Sequence, residues 1–216
     1  MCNLYTVRKS AAEVAAHFGA ETPKQVELAD ETTPGANGLI VREHNERRLL
    51  QSLSWGFPRL TAEMRAKGQK PTRVNLVADL TNPMWSETVQ QPRYRCLIPV
   101  TEFAEPDGQP GSKTRTWFRV RGEPIFAWAG FCRNTAEFGA VFAGMTSDSN
   151  EAVMRLNPRM PTLLHIDEYD RWLHGAIQDV IGFQFRKYPA DLLEIEPTTE
   201  RWVRRMAPPK PDATLF

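Results

Sequence analysis

Cysteine is scarce in this chain: there are three in 216 residues, Cys2, Cys96 and Cys132. An odd, low count excludes a disulfide framework of the kind that staples small secreted domains. CxxC and HExxH spacings are missing too, so no dedicated metal site is expected, and no cofactor. No apolar run is long enough to span a bilayer. Arg8, Lys9 and Glu13 interrupt the N-terminus before the apolar run of a secretory signal can form. The expectation is therefore no membrane association and a cytoplasmic location, beside the nucleoid if the source is bacterial. Charge of one sign is also lacking. The formal net charge is +1, so a nucleic-acid site must be a local patch and not a property of the whole chain. There is no internal repeat and no low-complexity block.

What is present suits one domain. Hydrophobic residues make up 41% of the chain, enough for a packed core, and 17 prolines favour loops and short elements. Asn3 to Val7 reads as a strand, and Ser10 to Glu13 as a capping box that opens a helix running to Phe18 and stopping at Gly19. Residues 20–37 read as a long loop. Leu39 to Val41 and Arg48 to Trp55 suggest a hairpin turning through Glu43 to Glu46, ended by Gly56-Phe57-Pro58. A short helix over 60–67 and a strand end at Val74 to Ala78, carrying Asn75, follow. Arg95 to Val100 reads as a buried strand. Thr116 to Val120 and Pro124 to Cys132 suggest a second hairpin, turning at Arg121-Gly122-Glu123. Ala140 to Met145 is another apolar run. Ser147 to Leu156 reads as helical, Met160 to Leu164 as strand, Asp167 to Leu173 as a short helix and Leu192 to Ile195 as a last strand. These elements predict an α+β domain over residues 1–200, built on a curved or barrel-like, mainly antiparallel sheet with a few short helices. Residues 201–216 read as a mobile basic tail with three prolines.

The chemistry begins at Met1-Cys2. Methionine ahead of a small residue is normally trimmed, and removal leaves Cys2 as a 1,2-aminothiol. The reference pKa values are about 7.7–8.0 for the amine and about 8.5 for the thiol, so both carry a nucleophilic fraction near neutral pH. An aldehyde would form an imine and then a five-membered thiazolidine, whereas an acyl group would be taken by the sulfur. On its own, position 2 reads more simply as cysteine by chance in a frayed terminus. Glu105 is either a solvated turn residue or a placed acid/base, and spacing favours the turn. Asn75 is either a satisfied core amide or a substrate-orienting group. Asn157 to Pro161 is a turn holding Arg159, whose plain reading is a solvated loop. Trp55-Gly56-Phe57-Pro58 is either core or an aromatic surface for unstacked bases, and core is favoured for Trp55. The four histidines are read as surface or core residues, not ligands.

Jointly these positions resemble the SRAP (SOS response-associated peptidase) family. The resemblance rests on Cys2, Trp55-Gly56, Asn75, Arg95 to Pro99 with Glu105 nine residues after Cys96, Phe126 to Gly130, and Arg159 to Pro161. It runs from residue 2 to about residue 196. It implies a sensor of abasic sites in single-stranded DNA, whose N-terminal cysteine traps the ring-opened sugar as a thiazolidine crosslink; a monomer is expected. Carried over, Cys2 is the nucleophile, Asn75 holds the reacting end, and Glu105 transfers protons and is linked to release of Met1. Thr146 matches a phosphate-contacting position, and Pro34 with Trp55-Gly56 lies where the family shapes its strand-binding surface. Two positions depart from the pattern. Asn157 stands where the family usually has histidine and cannot exchange a proton near neutral pH, so proton transfer is expected to slow or fall to Glu105. Leu76 to Asp79 lacks the usual arginine, and one lost phosphate contact should flatten the salt dependence; Arg59, Arg73 and Arg93 are the candidates to replace it. Two alternatives stay open: a non-catalytic single-strand DNA-binding module, and an N-terminal cysteine amidotransferase or amidohydrolase.

Overall fold

The structure is a computed structural model that describes residues 3–22, 26 and 29–202. In chain order the strands are β1 (Tyr5–Thr6), β2 (Asn37–His44), β3 (Arg47–Trp55), β4 (Phe57–Arg59), β5 (Thr72–Val74), β6 (Leu76–Val77), β7 (Arg95–Val100), β8 (Glu102–Asp107), β9 (Thr114–Val120), β10 (Phe126–Thr135), β11 (Gly139–Asp148), β12 (Arg159–Pro161), β13 (Leu163–Leu164) and β14 (Leu193–Arg201). The helices are α1 (Ala11–Phe18), α2 (Ala62–Ala66), α3 (Ser86–Gln90), α4 (Glu151–Met154), α5 (Tyr169–His174) and α6 (Ile177–Phe185). The expected α+β architecture with a curled, mainly antiparallel sheet is what the chain forms.

Its centre is a ring of strands. β2 pairs antiparallel with β3 and β7, β7 with β10, β10 with β11, and β11 runs parallel to β3, which closes the circle. β6, β12 and β13 extend it. A second, four-stranded antiparallel sheet in the order β1-β8-β9-β14 carries Glu105. The β2–β3 hairpin turns tightly because Asn45 and Glu46 both take left-handed backbone, at φ 50° and 60°. Two consecutive residues of that hand match the right-handed twist of the flanking strands. Helix α1 has the expected capping box from Ser10 and ends at Gly19.

One end of the ring is filled by Tyr5, Trp55, Trp128 and Phe142. Tyr5 meets Trp55 edge-on at 5.3 Å, Trp55 meets Trp128 at 5.7 Å, and Phe142 stacks on Trp55 at 6.0 Å. A buried indole needs a partner for its N–H. Trp55 donates to the Asn75 carbonyl (2.9 Å), Trp128 to the Met145 carbonyl (2.6 Å) and Trp172 to the Cys96 carbonyl (2.9 Å).

Several local expectations change. The strands β9 and β10 do not form a hairpin: β9 lies between β8 and β14, and β10 lies in the ring. Pro124 has no N–H to give a ladder, and the short link after β9 carries the chain from one sheet to the other. The chain does not leave strand geometry after Gly56, because β4 pairs with β5. The segment expected to be helical from Ser147 begins as the end of β11, and α4 starts only after Asn150, whose side chain accepts from the Val153 N–H. Helices α3 and α6 were not anticipated. Ile177, Val180, Ile181 and Gln184 show the three-and-four spacing that marks α6 in retrospect. Residues 203–216, most of the expected tail, lie outside the described residues.

The close approach of β11 to Trp128 gives a test. A Cβ added at Gly144 would lie 2.0 Å from Trp128 Cζ2, and the ring has no room to move. Gly144→Ala is expected to cost about 3 kcal/mol, the upper end of typical overpacking penalties. Urea unfolding checks this, and an unchanged midpoint would contradict the packing described.

Candidate active site

Glu105 is not a solvated turn residue. It lies inside β8 opposite Thr116, fully buried. Asn157 Nδ2 donates to Glu105 Oε2 at 2.8 Å, while Asn157 Oδ1 accepts from the Arg159 backbone N–H at 3.1 Å. The amide is therefore fixed in orientation by the turn into β12. Burial raises the Glu105 pKa from 4.5 to about 7, and the Asn157 hydrogen bond pulls the other way. Loss of hydration of the carboxylate is the larger effect. A carboxyl poised near neutrality is suited to both giving and taking a proton at cellular pH.

Strand β1 runs beside this carboxyl. Tyr5 pairs with Phe103, and the Ala104 N–H donates to the Leu4 carbonyl (3.0 Å), so the start of the chain follows β8 toward Glu105. Asn75 sits in the break between β5 and β6, not within one strand. Its carbonyl accepts from Trp55 Nε1 (2.9 Å) and from the Gly144 N–H (3.1 Å), which pins the backbone. Its side-chain Nδ2 donates to Asn3 Oδ1 at 2.9 Å. Asn3 was not singled out from the sequence; its contact with Asn75 spans 72 residues, and no local spacing signals that. The fold thus brings Asn75, Asn3, Glu105 and Asn157 to the same region. Cys2 lies outside the described residues.

The remaining candidates divide between support and surface. The Trp55 ring is wholly buried and takes the core role. Gly56 is held at φ 127°, and a Cβ there would be 3.1 Å from Arg73 Cβ, so only glycine fits both the backbone and the space. Pro34 is exposed on the loop that bonds to the end of β3, where the Gly35 N–H donates to the Trp55 carbonyl (2.8 Å). Thr146 is fully buried. Arg159 donates to the Thr146 hydroxyl (3.2 Å) and carbonyl, to the Ala78 carbonyl (3.1 Å) and to Asp148 (2.7 Å). This guanidinium therefore clamps the segment after β6 onto β11. Gln184 of α6 adds to the clamp through the same Ala78 and Thr146 carbonyls, at 3.3 and 3.4 Å.

Of the three arginines considered as replacements for the missing cation, Arg73 donates to the Gly56 carbonyl (3.1 Å) and covers the Phe138 ring at 3.9 Å. Arg93 lines a different cavity, together with Arg42 and His44. Arg59 lines a cleft of about 560 Å³ beside Val74, Leu76 and Ala78, which flank Asn75, and Arg65 lines it too. Among the described residues there is no cluster of three or more His, Cys, Asp or Glu able to hold a metal, and no helix is long and apolar enough to cross a membrane.

A curled α+β sheet with a buried carboxyl of raised pKa beside the chain's first strand defines the class of site. The chain belongs to the SOS response associated peptidase (SRAP) family, whose profile matches residues 1–202. It is thus a SRAP protein of a family associated with the response to DNA damage. No curated protein sequence matches it. Among solved structures, a protein from Bordetella bronchiseptica is 22% identical with a TM-score of 0.74, covering 91% of this chain and 99% of its own. One from Bacteroides thetaiotaomicron is 20% identical with a TM-score of 0.72, covering 91% of both chains. A phage-related protein from Bordetella bronchiseptica is 15% identical with a TM-score of 0.66, covering 91% of this chain and 94% of its own. These likenesses establish the fold.

The raised pKa of Glu105 has a consequence for stability. The folded state binds this proton more tightly than the unfolded state, so the carboxyl costs nothing below pH 4.5 and its cost grows as pH rises to about 7. The full cost is roughly 3 kcal/mol. Glu105→Gln is therefore expected to stabilise the protein at pH 8 and to have little effect at pH 4.5. Urea unfolding at the two pH values checks this, and a gain that did not grow with pH would refute it.

Proposed function

We propose that the chain captures the ring-opened aldehyde of an abasic site in single-stranded DNA through Cys2, after Met1 is removed. The α-amine of Cys2 adds to the aldehyde carbon and one water leaves, giving an imine. The Cys2 sulfur then closes on that carbon while the thiol proton passes to the nitrogen, giving a thiazolidine. The observation that carries the reading is a buried carboxyl near pKa 7 on the strand that the chain's start runs along. In this scheme Glu105 protonates the departing oxygen and takes protons back, and Asn75 orients the reacting end. Asn157 cannot exchange a proton near neutral pH; it holds Glu105, to which all proton traffic falls. Arg159 and Thr146 buttress the floor of the groove, and Pro34 and Gly56 shape its wall.

Without the usual arginine after Asn75, the DNA backbone is taken by Arg59 and Arg65, the cations of the cleft beside Val74, Leu76 and Ala78. Charged groups on that flank neutralise phosphates without reading sequence.

The mature protein incubated with an abasic oligonucleotide is expected to gain the mass of the oligonucleotide less one water, by intact-mass spectrometry. Cys2→Ala should give no adduct, and Glu105→Gln should slow adduct formation by about 10²-fold or more. The wild-type rate should carry an ionisation near pH 7, besides those of the Cys2 amine and thiol, that the Gln variant lacks. Undiminished adduct in Cys2→Ala would overturn the reading. Equal affinity for intact and abasic strands with no adduct would favour the non-catalytic binding module, and glutamine hydrolysis would favour the amidotransferase.

A second expectation concerns binding. The joint variant Arg59→Ala, Arg65→Ala should flatten the slope of log K against log salt by about 1.4, at about 0.7 per phosphate for single strands. Fluorescence anisotropy over a salt series reads this, and an unchanged slope would move the phosphate path elsewhere.

A further inference from the structure

The ring of strands has a second mouth, which the proposed chemistry does not use. Inward-facing residues Arg42 of β2, Gln51 and Leu53 of β3, Cys132 and Asn134 of β10, and Ala140 of β11 line a cavity of about 540 Å³. Register makes this one lumen: Gly38 pairs with Leu53, Ile40 with Gln51, and Cys132 with Phe142. These positions continue the face that holds Trp55, Trp128 and Phe142 at the plugged end.

The charge in this cavity is unbalanced. Arg42, Arg93 and Arg133 face one lining carboxylate, Glu43, which is met by His174 at 3.0 Å. Arg133 is drawn outward to Glu87 at 3.2 Å. Arg93 lies over the Tyr94 ring at 4.8 Å, and Arg133 over the same ring at 5.7 Å, so the aromatic fixes two guanidiniums at the rim. Arg42 has no such arrangement. Its Nε is buried and has no hydrogen-bond partner among the described residues. Its charge is felt by the thiols beneath it. The Cys96 hydrogen bond lowers the Cys132 thiol against the effect of burial, and the Arg42 charge lowers it further.

A buried donor on a cation that goes unpaired is costly. A planar guanidinium with a free edge, two more at the rim and amides from Gln51 and Asn134 make a cradle for an anion with several acceptor oxygens. The cavity is the size of a small metabolite, within the range of ordinary ligand pockets. We propose that this mouth of the ring binds a phosphorylated small molecule of mononucleotide size, with its phosphate on Arg42 and Arg93. Arg133 screens the phosphate from the rim, and the less charged wall of Leu53 and Ala140 takes the organic part.

Adenosine monophosphate and inorganic pyrophosphate are the probes, titrated calorimetrically into the full-length protein at low salt. Both are expected to bind saturably, one per chain. Arg42→Gln and, separately, Arg93→Ala should each weaken binding at least about tenfold, the loss of one charged hydrogen-bonding group. Arg93 is on the rim, so its variant keeps the test decisive if Arg42→Gln folds poorly. Abasic-site adduct formation should be unchanged in Arg93→Ala. Absence of saturable binding, or binding that survives both substitutions, would overturn the proposal.

Discussion

Closure of the strand ring by β11 is the constraint on which the rest depends. This one strand bonds to β3, β6, β10 and β12. Its parallel contacts, Val141 with Ser54 and Gly144 with Leu76, join segments far apart in sequence that could not otherwise be neighbours. From those contacts Asn75 gains a fixed backbone, because its carbonyl is held by the Gly144 N–H on one side and the Trp55 indole on the other. From the β11–β12 pairing, Arg159 faces Asp148, and the turn before it delivers Asn157 to Glu105. Site and barrel closure are thus one problem, solved by the same hydrogen bonds.

The fold tolerates an expensive group at that place. Burial raises the pKa of this carboxyl to about 7, and Asn157 meets it with an amide that can give a hydrogen bond but not a charge. A histidine in place of Asn157 would share the titration of Glu105; asparagine leaves it alone. Glu102, three residues earlier on the same strand, shows the contrast. It is also buried, but Arg119 reaches it at 2.7 Å and Arg8 at 2.5 Å. Arginines meet Glu102, whereas the Asn157 amide meets Glu105, whose pKa is raised to about 7 chiefly by burial.

The two ends of the ring divide the molecule's polar groups. The Tyr5, Trp55 and Trp128 plug fills one end of the ring, and Arg42 lines the cavity at the other mouth. Among the described residues near Asn75 and Asn157, Arg159 is committed to carbonyls and Asp148, and Arg73 to the Gly56 carbonyl and the Phe138 ring. That leaves Arg59 and Arg65 on the flank, which accords with a chain of near-zero net charge that has local patches and no global field.

Alone, the sequence determined what local rules govern. The capping box at Ser10, the β2–β3 hairpin, the buried β7 and the mixed α+β class all follow from periodicity and turn chemistry within a few residues. The joint order of Cys2, Trp55-Gly56, Asn75, Arg95 to Pro99 with Glu105, Phe126 to Gly130 and Arg159 to Pro161 carried the resemblance to the family. Only the tertiary structure decided which strands pair at long range. That separates β9 from β10, turns Glu105 from a plausible solvated turn into a buried acid, and joins Asn3 to Asn75. It also reveals the cationic mouth. Burial and contact between distant residues set these outcomes, and neither is a property of any short window of sequence.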